Sequence, residues 1–217
     1  MVKWWMFVIV AGCAEPPTID TDQLQPSYLA SDSGDGTVQI EAALVMADNA
    51  FYRLGEDESL VAKVGDQMQT MTPDDDNRYL ASFTADPEPE TRFAIELYRS
   101  TDLITSTMGF PGRFELDPVP ASFARSDTIT ISWSPADSGM DHTSVIVDAR
   151  PCVPSFQPVD VPHHAITFTL SPTVTAACNV SIGFFRDRVI SDPNPAFDDA
   201  GVLEAVQSRV VSFVSTP

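Results

Sequence analysis

Any chemistry in this chain rests on a short set of side chains. The cysteines are Cys13, Cys152 and Cys178, and the histidines are His142, His163 and His164. Zinc would draw on both, but neighbouring residues on a strand point to opposite faces. His163 and His164 would therefore not share an ion there, and no Cys/His spacing supplies the other ligands. The pair follows Pro162 and reads as a solvated loop. Oxygen ligands are more plentiful: Asp32, Asp35, Asp74, Asp75, Asp76, Asp192, Asp198 and Asp199 lie in segments of loop composition. Calcium takes about six to eight oxygens. The stretch DPNPAFDDAG, 192–201, offers Asp192, Asn194 and Asp198 but lacks the glycine and closing glutamate of an EF-hand loop. Such aspartates read first as turn residues that hydrogen-bond their own backbone.

Covalent and phosphoryl chemistry leave no signature. There is no G-x-S-x-G elbow, no Ser-x-x-Lys set, no H-E-x-x-H and no P-loop. Glu41 and Glu96 could be imagined as a glycosidase pair, but each alternates with inward apolar residues and is expected on a solvent face. Tyr52 and Tyr98 are the aromatics that could stack on a sugar, while Trp133 alternates inward. No catalytic residue, metal site or cofactor is expected.

Charge narrows the partners. Acidic residues number 31 against 12 basic ones, a formal charge of −19. A basic face for phosphates is excluded, which argues against nucleic acid and against anionic lipid headgroups meeting the folded part. Solubility is the general reading of such a charge.

The N-terminus gives an address. Lys3 precedes an apolar block, Trp4 to Val10, then Ala11, Gly12 and Cys13. The block is far short of the about 20 apolar residues that span a bilayer, and it has the order of a secretory signal. Val10-Ala11-Gly12-Cys13 resembles the lipobox of bacterial lipoprotein signal peptides. The resemblance covers the first thirteen residues. It implies removal of residues 1–12, lipidation of Cys13 and anchoring of the chain to the bilayer in the cell envelope. Ala14, in place of Asp, implies passage to the outer membrane. A buried N-terminal strand is the alternative. With Cys13 acylated, Cys152 and Cys178 remain as a pair, and an oxidising envelope favours their disulfide. Closing that loop would stabilise by about 3.5 kcal/mol in the chain-entropy picture. Two buried thiols are the alternative.

The elements that must position these residues read as strands. Residues 13–36 are rich in Pro, Asp, Ser and Gly and are expected to form a lipidated, disordered tether. From Thr37 the apolar residues fall on alternate positions: Val38, Ile40, Ala42, Leu44; Leu60, Ala62, Val64; Tyr79, Ala81, Phe83; Phe93, Ile95, Leu97. Alternation of period two is the strand signal. Gly65-Asp66 between two such runs predicts a hairpin. These strands assign a β-sandwich to 37–110. Residues 108–127, with three prolines and two glycines, read as a domain junction. Beyond it come TITISW, SVIVDA, AITFTL, NVSIGFF and RVVSFVS. The run Pro120 to Pro135, P-x-x-F…TITISWSP, resembles the first two strands of fibronectin type III and related immunoglobulin-like domains, which implies that Trp133 enters the core. Residues 111–217 are thus expected to form a second, immunoglobulin-like sandwich. A short helix over 202–207 stays open beside a strand.

The fold expected is all-β: two consecutive antiparallel β-sandwiches behind the tether. The function expected is that of a lipid-anchored envelope protein, a non-enzymatic binding or structural module whose protein or glycan partner the sequence does not name. A carbohydrate- or calcium-binding surface domain, or a hydrolase, is the alternative.

Overall fold

The computed structural model describes residues 19–88, 91–137, 139–148, 159–160, 164–170, 176–191, 194–197 and 200–217. Apart from one 3₁₀ turn, Thr21–Gln23, every regular element is a strand. The first eight are β1 (Leu24–Asp32), β2 (Thr37–Met46), β3 (Glu58–Val64), β4 (Gln67–Thr70), β5 (Thr72–Pro73), β6 (Tyr79–Thr84), β7 (Arg92–Arg99) and β8 (Asp102–Gly109). The apolar alternation does its work directly. Every second residue of β2, β3, β6 and β7 turns inward, and β1–β2–β6–β5 packs over β4–β3–β7–β8. The β3–β4 hairpin turns on Gly65, whose φ of 55° suits a residue without a Cβ.

The second group is β9 (Glu115–Leu116), β10 (Ser122–Ala124), β11 (Thr128–Ser134), β12 (His142–Asp148), β13 (Val159–Asp160), β14 (Ala165–Thr169), β15 (Cys178–Ser191) and β16 (Val202–Thr216). Here β14–β11–β9 faces β13–β12–β15–β16. The core between them holds Ile129, Ile131, Trp133, Val180, Ile182, Phe184 and Phe213. The all-β reading and its two sandwich cores stand.

Three features differ from expectation. First, the segment 13–36 is not a tether throughout. Residues 24–32 form β1, which buries Leu24, Tyr28 and Ala30. Its polar residues Gln25, Ser27 and Ser31 alternate with that apolar set, so a disordered composition conceals a strand with one wet face. Second, 202–207 is strand and not helix. Third, the pairing is not wholly antiparallel: β16 runs parallel to β1 and to β10.

The parallel pair reflects a sheet shared by both cores. β15 and β16 are 14 and 15 residues long, about 45 Å at a strand's rise. One end of their hairpin packs Val180, Ile182 and Phe213 in the second core. The other end carries Phe197, Leu203 and Ala205 into the first core, and Val202–Gln207 pair with Ser27–Asp32. The result is one nine-stranded sheet running under both sandwiches.

Candidate functional site

Charge collects on the inner face of the shared sheet, where the two cores meet. In β15 the buried even positions Val180, Ile182 and Phe184 are followed in the same phase by Arg186 and Arg188. Arg186 is 1% exposed. Its Nη2 lies 2.9 Å from Asp137 Oδ1 and donates to the Pro135 carbonyl at 2.7 Å. Nη1 donates to the Gly112 carbonyl at 2.9 Å and Nε to Thr143 Oγ1 at 3.2 Å. Its guanidinium stands over the Phe114 ring, 4.7 Å from the centroid. Burial pulls its pKa down, opposed by the charges of Asp137 and Asp141. Arg188 pairs with Asp141 at 2.8 Å, and Asp141 Oδ2 accepts from the Gly112 N–H. On β16, Arg209 lies 3.5 Å from Asp32 and 5.4 Å from the centroid of the same Phe114 ring. Asp32 also accepts from the Gly34 N–H at 2.8 Å. Asp32 of the first sandwich is thereby tied to Arg209 on β16. Each carboxylate is committed to a cation or a backbone N–H. The arrangement fixes two bodies together and offers no poised base.

The outer face of the same sheet is different. Register stacks its side chains into rows across the strands. One row runs Val189, Glu204, Leu29, Glu41, Leu80. Its neighbour runs His142, Asp187, Val206, Ser31, Gln39. Burial, and secondarily the Asp187 charge, push the Glu204 carboxyl up. Glu41 is held by Arg78 at 3.1 Å, and Arg78 also binds Asp74 and Asp76. An open groove of about 340 Å³ continues the row, bounded by Leu29, Glu41, Gln69, Thr72 and Leu80.

The residues singled out in the sequence scatter. Trp133 is buried, 5.4 Å from Phe184, as expected. Glu96 is not solvent-facing. It points away from the core but is only 7% exposed, because Lys63 (2.5 Å) and the Tyr98 hydroxyl (2.8 Å) close over it. Burial pushes its carboxyl up, yet those two hydrogen bonds outweigh it and hold it below the ordinary carboxylate range. Tyr98 is exposed on one side. Tyr52 binds Glu58 and packs under Arg99. The two tyrosines thus serve separate ion pairs. Asp35 and Asp74 cap their own turns through the Thr37, Asp76 and Arg78 N–H groups. Asp32, expected in a loop, ends β1 and is buried, because Arg209 meets it there. His142 and His164 are exposed. Among the described residues no group of three or more His, Cys, Asp or Glu is placed to hold a metal ion. Cys178 opens β15 and is buried. Cys13, Cys152, His163, Asp192, Asp198 and Asp199 lie outside the described residues.

Sequence reasoning missed Arg186, Arg188, Arg209 and Glu204. A signal existed for the first two. They sit in phase with buried apolar positions, where a solvated arginine has no place. Asp137 and Asp141 carried none, since their arginines come from a distant strand.

No protein-family model and no curated protein matches the chain. Among solved structures it is similar to the Yersinia pseudotuberculosis adhesin InvE, at 9% identity and a TM-score of 0.28 over 87% of this chain. The chain spans 60% of the length of that structure. A cytokine receptor complex is similar at 11% identity and a TM-score of 0.34, covering 85% of this chain and 94% of that one. A two fibronectin type III domain segment of chicken tenascin is similar at 12% identity and a TM-score of 0.25, covering 87% and 97%.

Proposed function

We propose that this chain is a lipid-anchored protein of the bacterial envelope, destined for the outer membrane, that acts as a non-enzymatic binding or structural module. The observation that carries the structural half is the shared nine-stranded sheet, with Arg209 of β16 paired to Asp32 of β1. Two sandwiches joined this way hold one relative setting, which suits presenting a surface. The anchor rests on Val10-Ala11-Gly12-Cys13.

The two halves combine in one consequence. Arg99 grips the Ile19 carbonyl at 2.6 Å and Thr21 Oγ1 at 3.0 Å. A lipid on Cys13 would therefore hold the body by six residues, about 20 Å at full extension. That is a short leash. The remaining cysteines, Cys152 and Cys178, are proposed to form a disulfide in this compartment, with Cys178 supplying a buried sulfur.

Mass spectrometry of the membrane-extracted protein tests the anchor. An acylated N-terminal Cys13 is expected. A chain beginning at Met1, or a soluble form with an unmodified Cys13, overturns it. Thiol counting under denaturing conditions, without reductant, tests the disulfide: no reactive thiol at Cys152 or Cys178 is expected.

A further inference from the structure

The outer face of the shared sheet sets a half-buried carboxylate among apolar neighbours. Glu204 is half-buried between Val189 and Leu29 in the register. It has no hydrogen-bond or ion-pair partner among the described residues, and the charge that acts on it is a like charge, Asp187, which itself lies 3.8 Å from His142 Nδ1. Glu41 lies one strand beyond Leu29. Arg78, the nearby cation, is taken up by Glu41, Asp74 and Asp76. The same face gathers six of the exposed large apolar side chains: Leu80, Ile146, Val189, Val202, Val210 and Val214.

We propose that this face docks a cationic polypeptide segment, with a lysine or arginine seated at Glu204 and aliphatic neighbours over Val189, Leu29 and Leu80. Charge complementarity selects this occupant. Nucleic acid is repelled by these carboxylates, and a second copy would bring the same carboxylates and another −19 charge against them. Scale agrees. From Val189 to Leu80 the row crosses four inter-strand spacings, about 19 Å, which about six extended residues span. The groove at the Leu80 end has room for side chains and not for a domain. The inference deepens the binding-module reading and rests on it, but not on the anchor.

The test uses the full chain in mild detergent and a fluorescent eight-residue peptide alternating lysine with leucine, read by anisotropy at low and moderate salt. A peptide with glutamate for lysine is the control. Wild type is expected to bind the lysine peptide alone. Glu204→Gln and Leu29→Ser are each expected to weaken binding by about fivefold or more. Asp102→Asn, which removes an exposed carboxylate from the opposing sheet, is expected to change it by less than about twofold. Equal effects of Glu204→Gln and Asp102→Asn would reduce the result to net-charge attraction and overturn the proposal. Absence of binding overturns it too, as does a dimer in sedimentation that Leu29→Ser dissolves. None of these failures touches the anchor reading, which stands on the state of Cys13. Loss of folding does not confuse the outcome, since melting temperature is recorded for every variant and Glu204→Gln is expected to melt no lower than wild type.

Discussion

Arg186 and Asp187 are neighbours in sequence and stand on opposite faces of one strand. The inner residue is almost wholly buried, and each of its three guanidinium nitrogens has an acceptor. The outer residue faces a half-buried carboxylate, Glu204, that has no cation among the described residues. The contrast separates two uses of charge on one sheet. A buried charge surrounded by partners fixes how the segments 112–114 and 135–143 meet β15. A half-buried carboxylate beside a like charge is instead a group whose complement the proposed peptide would supply.

The largest effect should come from breaking the inner side. Arg186→Met removes the cation from Asp137, which keeps only its hydrogen bonds from Thr143, and takes a donor from the Gly112 and Pro135 carbonyls. Removing one partner of a buried pair costs about 3–5 kcal/mol. Urea unfolding followed by Trp133 fluorescence should show that loss. The double variant Arg186→Met/Asp137→Asn should recover part of it, because no charge is then left unpaired and an acceptor for the buried Thr143 remains. A loss below about 1 kcal/mol would mean that the network is solvated and does not hold these segments on β15.

A smaller effect is expected at Gly34. Its φ is 76°, and an added Cβ would lie 2.8 Å from the Arg209 guanidinium. Gly34→Ala therefore combines backbone strain with displacement of Arg209 from Asp32, at about 1–2 kcal/mol. Gly183 offers the outer-face counterpart. Its φ is ordinary, but a Cβ there would meet the Phe185 ring at 2.8 Å. The ring can swing outward, so Gly183→Ala should cost about 1 kcal/mol or less. If Gly183→Ala proves the costlier, the outer face is packed more tightly than its exposure implies.

Which parts of this were legible in the sequence follows from range. Val38, Ile40, Ala42 and Leu44 announce their strand because alternation is local. So does Gly65-Asp66, whose turn needs only two residues. Leu24, Tyr28 and Ala30 carried the same period, diluted by Pro26 and by serines on the wet face, and composition masked it. The sharing of β16 was out of reach. Leu203 and Phe213 belong to different cores although they sit on one strand, and nothing within that strand tells where the first core ends. Glu204 was equally silent, because its isolation is defined by Asp187 across one strand pair and Leu29 across another.

The smallest effect concerns Glu204 and decides what the outer face is for. Burial and the Asp187 charge raise its folded-state pKa above the unfolded value. Of the strands beside it, β15 presents Asp187 and Val189, and β1 presents the uncharged Leu29 and Ser31. The folded state therefore holds the Glu204 proton to higher pH than the unfolded state does. Stability falls as pH rises through that window, and at neutral pH the ionised carboxylate is a net cost. Below the unfolded pKa, near about 4.3, the carboxyl is protonated in both states and the cost is gone. Glu204→Gln should thus raise stability at pH 7 by up to about 0.5 kcal/mol after solvent screening, and make no difference near pH 4. Melting curves of the two proteins at both pH values check this. A gain at pH 7 together with weaker peptide binding is the signature of a residue kept for recognition against stability. A loss at pH 7 would mean that Glu204 already has a cation, and the contrast with Arg186 would disappear.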